Sequence, residues 1–287
     1  MATIKVADDE GGTITFIDVD GKRFPNFNIS AARGIPDFKL RNDDVFLIAY
    51  PKSGSHWIWE VCRMLFAGST DLDVIAKESY MLELTSHDLI DQQMSPRILN
   101  THLRLNEMPK DFQTLKNKII YLRRNLKDVA VSFFNHTKKF KNNYQYNGTW
   151  NSYLKMIIEG KVDYGSWFDY VKHWEEVKET HPELQILDLT FEDIKENPNK
   201  EVKKIAEFLE VPYNETLIDD INQQCSFKNM KARKGLLMPT EDGESVIYRK
   251  GDVGDWMNWF TVAQDEWFNS VYQDKMAGSK LKFKYTL

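Results

Sequence analysis

Short apolar runs of strand length recur along the chain, separated by longer stretches with helical periodicity. The runs are Val45–Tyr50, Ile119–Leu122 and Leu184–Leu189. Runs of this kind, bounded by turns and alternating with helical segments, predict buried strands of a parallel sheet. We therefore predict an α/β fold with a mainly parallel central sheet flanked by helices. No internal repeat or linker divides residues 1–287, so we expect a single domain, with residues 1–33 as an N-terminal segment.

Helical periodicity follows the predicted strands. The expected helices run from Trp57 to about Ala67, from Asn125 to about Lys138, and over Glu201–Leu209. In the last of these, the apolar residues fall on one face of the helix. An aromatic and aliphatic stripe at helical spacing in residues 167–177 is typical of a buried core helix.

Charge and composition exclude several classes of protein. The 38 basic and 43 acidic side chains give a formal net charge of −5, which is unsuited to nucleic-acid binding. An anionic ligand would therefore need a local cluster of cations. The first ten residues do not resemble a secretory signal, and no apolar run is long enough to span a membrane. Two cysteines in a chain of this size favour a reducing compartment, so we expect a cytoplasmic protein with no membrane partner.

Residues 234–254 have no clear periodicity and contain several glycines. A long irregular segment in a compact domain is typically either a functional lid or a mobile surface loop. The pattern supports both interpretations, and we predict a mobile lid.

The loop between the first predicted strand and its helix carries the residues of an anion site. It contains Lys52, Ser53, Gly54, Ser55 and His56. Backbone N–H groups at such a strand-to-helix turn, together with the positive end of the helix, bind phosphate-like groups. The loop lacks the spacing of a nucleoside triphosphatase phosphate loop.

Four sequence blocks, in order, resemble the cytosolic sulfotransferase family. They are Tyr50–Trp57, Arg124–Ser132, Phe191–Pro198 and Arg249–Trp256, and the resemblance extends from about Gly34 to the carboxyl terminus. It implies the phosphate-loop-like sulfotransferase fold. The implied co-substrate is 3′-phosphoadenosine 5′-phosphosulfate (PAPS), with 3′,5′-adenosine bisphosphate (PAP) as product.

The resemblance assigns the donor site residue by residue. The 5′ end would lie against Lys52, Ser53, Gly54, Ser55 and His56, and the 3′-phosphate against Arg124, Ser132, Arg249, Lys250 and Gly251. Trp57 would stack on adenine, with Phe227, Ser226 and Cys225 framing its other edge and Phe191 nearby. Two cationic nests separated by an aromatic platform suit a nucleotide with anionic groups at both ends.

The catalytic base implied by the resemblance is His102. Composition does not choose among the six histidines, and none of them has the spacing of a zinc site, so we expect no metal. His102 would accept the acceptor proton during in-line sulfuryl transfer, while Lys52 stabilises the leaving group. Ser132 would hold Lys52 away from the donor until the acceptor arrives.

The sequence departs from the family pattern at four positions. Asn100 replaces a lysine that many members have two residues before the histidine, which predicts an active but slower enzyme. Phe191 stands where many members have tyrosine, and we expect the missing hydroxyl to weaken donor binding modestly. His56 replaces a small or polar residue, and we expect its backbone amide to be the group that matters. Thr261, Val262 and Glu266 resemble a homodimer motif, although Met257 replaces its first lysine.

Variable loops should form the acceptor pocket, and their composition favours a phenol, sterol or other apolar alcohol. These loops are Phe24–Phe27, Tyr80–Leu84, Phe140–Tyr146 and Leu236–Ile247. Two other functions remain open from the sequence: a non-catalytic ligand-binding protein on the same scaffold, and a nucleotide kinase. Sulfonation followed by elimination is a further variant that product mass would distinguish.

Overall fold

The protein is described here from a computed structural model that covers residues 1–237, 239, 243 and 245–287. The predicted lid at 234–254 includes positions 238, 240–242 and 244, which lie outside the described residues. Its mobility stays a prediction.

A four-stranded parallel sheet forms the centre of the fold, as the sequence predicts. Its strands are β4 (Val45–Ala49), β5 (Ile98–Thr101), β6 (Lys118–Arg123) and β7 (Ile186–Thr190), in the spatial order β5-β4-β6-β7. All three strand pairs are parallel. The strand expected at Leu184–Leu189 corresponds to β7, which begins two residues later, at Ile186.

The N-terminal segment forms a second sheet that the sequence analysis did not predict. Strands β1 (Ala2–Ala7), β2 (Thr13–Val19) and β3 (Lys22–Pro25) make an antiparallel sheet. The β2–β3 turn has positive φ at both Asp20 and Gly21 (54° and 85°), the conformation that favours Asp-Gly in tight hairpins. That dipeptide was the available signal for the hairpin.

Helices cover both faces of the parallel sheet. They are α1 (Ser55–Ala67), α2 (His87–Asp91), α3 (Phe112–Leu115), α4 (Leu126–Lys139), α5 (Lys141–Tyr144), α6 (Trp150–Ile158), α7 (Trp167–Thr180), α8 (Phe191–Glu196), α9 (Pro198–Leu209), α10 (Glu215–Gln224), α11 (Phe227–Lys234) and α12 (Val262–Lys275). Short 3-10 helices span Ala32–Asp37, Lys77–Tyr80, Leu105–Glu107 and Asp255–Asn258.

The alternation of β4 divides the core into two apolar clusters. Val45, Leu47 and Ala49 pack with α1, α9 and α10, whereas Phe46 and Ile48 face the cluster that contains α4, α6 and α7. Because strand side chains alternate between faces, an all-apolar strand is buried on both sides. Because these strands are parallel, the carboxyl ends of β4, β5 and β6 lie at one edge of the sheet. The loops that carry the candidate residues emerge from this edge.

Candidate active site

One cavity of about 640 Å³ opens at the carboxyl edge of the parallel sheet. Its lining includes nearly all of the predicted donor-site residues, namely Lys52, Gly54, Ser55, His56, Trp57, Arg124, Ser132, Phe191, Cys225, Phe227, Arg249, Lys250 and Gly251. Ser53 is buried beneath the loop, and its amide donates to the Tyr50 carbonyl. His102 lines the same cavity. Residues distant in sequence are thus brought to one site.

The loop after β4 is built around a glycine that no other residue can replace without strain. Gly54 has φ of +101°, and a Cβ atom there would lie 2.7 Å from the Phe191 ring. Gly54 also precedes α1 and has no side chain with which to cap it. The first-turn N–H groups of Ser55 and His56 therefore have no intrahelical acceptor, which suits them to bind an anion.

Lys52 is held by a histidine on α4. Its ammonium Nζ lies 3.1 Å from His136 Nδ1, and the backbone carbonyl of Lys52 accepts a hydrogen bond from Arg124. Burial lowers the pKa of Lys52 to about 7. His136 lies one helical turn beyond Ser132, on the same face of α4. In this structure the lysine partner is therefore His136, and the role implied for Ser132 stays a prediction.

Arg124 joins the loop after β4 to the segment that carries Arg249. Its guanidinium donates to the carbonyls of Lys52 and Asp252 and lies 4.1 Å from the centroid of the Phe191 ring. Arg124 is 8% exposed, and its Nε has no hydrogen-bond partner among the described residues. A buried guanidinium with an unused donor, at the edge of a cavity, is suited to an anionic ligand.

Arg249 and Lys250 both contact Asp255. The Arg249 and Lys250 nitrogens lie 2.5 Å from opposite oxygens of that carboxylate. Burial acts to raise the pKa of Asp255, but hydrogen bonds from Lys250, Asn258 and Arg249 hold it at about 2. Asp255 is thus an anion at neutral pH and keeps the two cations side by side.

The segment that carries these cations is tied to the start of α4. Asp128 accepts hydrogen bonds from the backbone N–H groups of Gly254 (2.9 Å) and Trp256 (3.1 Å). Gly251, with φ of +74°, leaves room for the Phe227 ring, which a Cβ atom would approach to 2.3 Å.

Aromatic rings border the cavity between the two cationic regions. The rings of Trp57 and Phe191 pack edge to face, with 5.8 Å between their centroids, and the ring centroids of Phe227 and Tyr248 are 6.4 Å apart. The Trp57 indole N–H is buried without a partner among the described residues. Apolar faces with an unused donor could hold a heterocyclic base.

The tautomer of His102 is fixed by the backbone. His102 Nδ1 lies 2.6 Å from the Ala49 carbonyl oxygen, which can only accept, so Nδ1 carries the proton and Nε2 keeps its lone pair. Burial, and then the positive charge of Lys77, lower the pKa of His102 to about 3. The imidazole is therefore neutral at physiological pH and can act as a base.

Glu83 holds the strand end that carries His102. Its Oε1 accepts hydrogen bonds from the His102 backbone N–H and the Thr101 hydroxyl, both at 2.8 Å. Burial raises the pKa of Glu83 to about 7. The base is thus supported both through its ring and through its backbone.

Several cavity residues escaped the sequence analysis. They are Lys77, Glu78, His136, Asp163 and Tyr164. Glu78 lies 2.8 Å from His56 Nε2, so the His56 side chain has a partner of its own in addition to the backbone role predicted for it. His136 lies on α4, whereas the other four lie on a short 3-10 helix and a loop, and none of them belongs to a recognisable motif.

Described residues from all four predicted acceptor loops line the cavity that also contains His102. Each contributes lining residues, among them Phe27, Met81, Leu84, Phe140, Tyr144 and Ile247. Asp163 lies among these rings, where the Tyr144 hydroxyl donates to its Oδ2 at 2.8 Å. Its Oδ1 has no partner among the described residues, and burial raises its pKa to about 7.

Within the described part of the chain, no cluster of three potential metal ligands occurs. The search of the same residues for a helix long and apolar enough to cross a membrane also found none.

Known proteins resemble this chain over nearly its full length. Mouse sulfotransferase 1B1 is 41% identical over 266 residues, covering 87% of this chain and 88% of that protein. Human sulfotransferase 1C2 is 35% identical and covers 96% and 97% of the two chains. The crystal structure of mouse sulfotransferase SULT7A1 complexed with PAP is 31% identical, with a TM-score of 0.78 and coverage of 92% and 96%.

A solved retinol dehydratase, complexed with androsterone and PAP, shares the fold at a TM-score of 0.78 but only 19% identity, with coverage of 95% of this chain and 92% of that one. The family model described as the sulfotransferase domain matches residues 42–280, which include the parallel sheet and the whole candidate site except the N-terminal lining residues. The chain therefore belongs to the sulfotransferase family and is a sulfotransferase enzyme.

Proposed function

We propose that this sulfotransferase moves a sulfuryl group from PAPS to the hydroxyl of a small apolar acceptor, with His102 as the base. The observation that carries the proposal is that one cavity holds both a cationic nucleotide-sized region and a neutral histidine with a fixed tautomer. The residues fit PAPS because Arg124 and Trp57 both line the cavity and each has a buried N–H donor without a partner among the described residues.

The donor would be held at both ends by groups of this chain. The first-turn amides of α1 and Lys52 would contact the phosphosulfate, while Arg124, Arg249 and Lys250 would contact the 3′-phosphate. Trp57 and Phe227 would border the adenine. PAPS, when bound, supplies the sulfuryl group and the leaving phosphate.

The chain would contribute proton transfer and charge stabilisation. His102 Nε2 accepts the proton of the acceptor hydroxyl as the acceptor oxygen bonds to sulfur. The bond between sulfur and the phosphate oxygen breaks, and its electron pair stays on that oxygen, close to Lys52. Positioning and electrostatics dominate such transfers, as in phosphoryl transfer.

The acceptor should have an apolar body and a second hydrogen-bond donor. Phe27, Phe140 and Tyr144 supply aromatic walls, and Asp163 Oδ1 offers a buried acceptor atom among them. A buried carboxyl needs a partner, which a distant hydroxyl or amino group of the acceptor would provide. Phenols and sterols with such a group are our preferred class.

Transfer of labelled sulfate from PAPS to a panel of phenols, sterols, aliphatic alcohols and amines tests this proposal. We expect label in a hydroxyl acceptor and a loss of about 10²–10⁴-fold in kcat for His102→Ala. Binding of PAP should be retained, which separates a lost base from a lost fold. PAP binding without transfer to any acceptor would instead support the non-catalytic ligand-binding protein. Mass of the product distinguishes a sulfate ester from an elimination product.

The compartment and the assembly are also proposals. Cys62 and Cys225 are buried free thiols, which supports the reducing cytoplasm. Thr261, Val262 and Glu266 lie exposed at the start of α12, where a homodimer contact through this motif would be accessible.

A further inference from the structure

Lys77 is a buried lysine whose hydrogen-bond partner is a neutral side chain. Its ammonium Nζ lies 2.6 Å from Asn100 Oδ1, and the Asn100 amide donates back to the Lys77 carbonyl at 2.9 Å. Lys77 is 3% exposed and lines the cavity. Burying an ammonium without a directly paired anion is costly, so its retention calls for a functional reason.

Lys77 lies close to His102, the proposed base. Asn100 lies on β5 and His102 follows immediately after the strand, two residues further along the chain, so both lie at the carboxyl end of β5. The positive charge of Lys77 contributes, after burial, to the lowered pKa of His102, which places the ammonium within electrostatic reach of the imidazole. Lys77 thus lies at the reacting end of the cavity.

The backbone holds Lys77 in this place independently of its side chain. The Leu82 N–H donates to the Asn100 carbonyl at 3.2 Å, and Met81 pairs with Asn100 in a parallel bridge. The short helix Lys77–Tyr80 is therefore fastened beside β5. An ammonium has three N–H donors, and the bond to Asn100 uses one of them, which leaves capacity for an anionic oxygen.

We propose that Lys77, presented by Asn100, contacts the sulfuryl oxygens during transfer and supplies the cation that position 100 itself lacks. Asn100 acts as a positioning residue, since its amide fixes both ends of Lys77. This inference rests on the proposed sulfuryl transfer. It replaces the expectation of a slower enzyme, because the charge is restored from another segment.

The bonds that form and break in this step are those of the proposed reaction. The acceptor oxygen forms a bond to sulfur, the bond from sulfur to the phosphate oxygen breaks, and the acceptor proton passes to His102 Nε2. Lys77 changes no bond, and it stabilises the negative charge on the non-bridging sulfuryl oxygens.

Substitution of Lys77 by methionine, which keeps the length and removes the charge, tests the role. We expect Lys77→Met to lower kcat about 10²–10³-fold, the typical effect of removing one such stabilising group, with little change in acceptor KM. Lys77→Arg should keep a substantial part of the rate. The double variant Lys77→Met with Asn100→Lys should recover activity, because it returns the cation from the strand side.

Lys118→Met is the matched control. Lys118 pairs with Glu210 at the first residue of β6 and does not line the cavity, so its loss should affect thermal stability and leave kcat near the wild-type value. If Lys77→Met retains wild-type kcat while wild type is active, the proposal is overturned.

Donor affinity separates this proposal from the proposed function. Calorimetry with PAPS and with PAP needs no acceptor, and Lys77→Met should weaken PAPS binding more than PAP binding. An unchanged ratio of the two affinities together with unchanged kcat contradicts the role of Lys77. Failure of the wild type to transfer sulfate contradicts the proposed function, and the affinity ratio still tests Lys77.

Discussion

Individual residues in the cavity are kept in unusual protonation states by burial. The pKa of Lys52 falls to about 7 and that of His102 to about 3, and in both cases loss of solvation is the largest cause. A neutral imidazole suits the proposed base. Perturbed groups of this kind cluster at functional sites, where they cost stability.

Lys52→Met should therefore raise the melting temperature at pH 7. Between pH 7 and 10.5 the unfolded chain holds the Lys52 proton and the folded chain does not, so the free energy of unfolding rises with pH across this window. The methionine variant avoids the penalty, and we expect a gain of about 2–4 °C, the shift produced by roughly 1 kcal/mol in a chain of this size.

Scanning calorimetry at several pH values checks this expectation. The difference between Lys52→Met and wild type should shrink as the pH rises from 7 towards 10. Lys52→Arg, which keeps a charge, is the control and should show no gain. A methionine variant that melts below wild type at pH 7 would contradict a destabilising effect of the lowered Lys52 pKa.

At the level of elements, the site residues lie mainly at the starts of helices and at the ends of strands. The loop after β4 feeds α1, the end of β6 supplies Arg124 ahead of α4, and the end of β5 carries His102. Asp128, in the first turn of α4, uses its carboxylate to hold the segment that follows Arg249 and Lys250. The two cationic regions are therefore coupled through one short stretch of α4.

Asp128→Ala should weaken PAP binding about tenfold or more through that segment. Two backbone N–H groups would lose their acceptor, and hydrogen bonds to a charged group contribute roughly 1.5–3 kcal/mol each. Calorimetric titration with PAP gives the dissociation constant. Asp169→Ala, at an exposed first-turn position of α7, controls for the loss of a helix-terminus charge. Equal losses in both variants would refute a specific role of Asp128.

For the whole molecule, the exposed start of α12 bears on assembly. Val262 is 76% exposed and Met257 is 57% exposed, which leaves apolar surface around the predicted dimer motif. The neighbouring Thr261 caps α12 by accepting from the Gln264 N–H. The motif is thus displayed on a well-formed helix.

We expect a particle of twice 33.7 kDa by light scattering, and the monomer mass for Val262→Glu. An acidic residue at the first helical position is favourable for the helix itself, so the substitution should act on the contact and not on folding. Ser270→Glu, exposed on the same helix but outside the motif, should stay dimeric. A wild type that runs as a monomer at micromolar concentration would contradict the proposal.

The sequence by itself determined the central architecture, because strand and helix periods are local properties. Three strands of the parallel sheet, the helices that follow them and the loop at Lys52 were all readable from short stretches, and the family resemblance located Arg124, His102 and Arg249. The N-terminal sheet was missed, although Asp20-Gly21 marked its hairpin. β5 and several helices, among them α6 and α10, were not predicted either, and the start of β7 shifted by two residues.

Only the tertiary structure decided which partners the buried lysines of the site have. Lys77 reaches Asn100 across 23 residues, and Lys52 reaches His136 across 84. Neither pair has a fixed spacing that a sequence pattern could register, since the intervening chain folds through separate elements. The protonation states follow from the same cause, because desolvation depends on every segment that covers a group. The sequence thus determined the scaffold and its anion loop, while packing decided the electrostatics of the site.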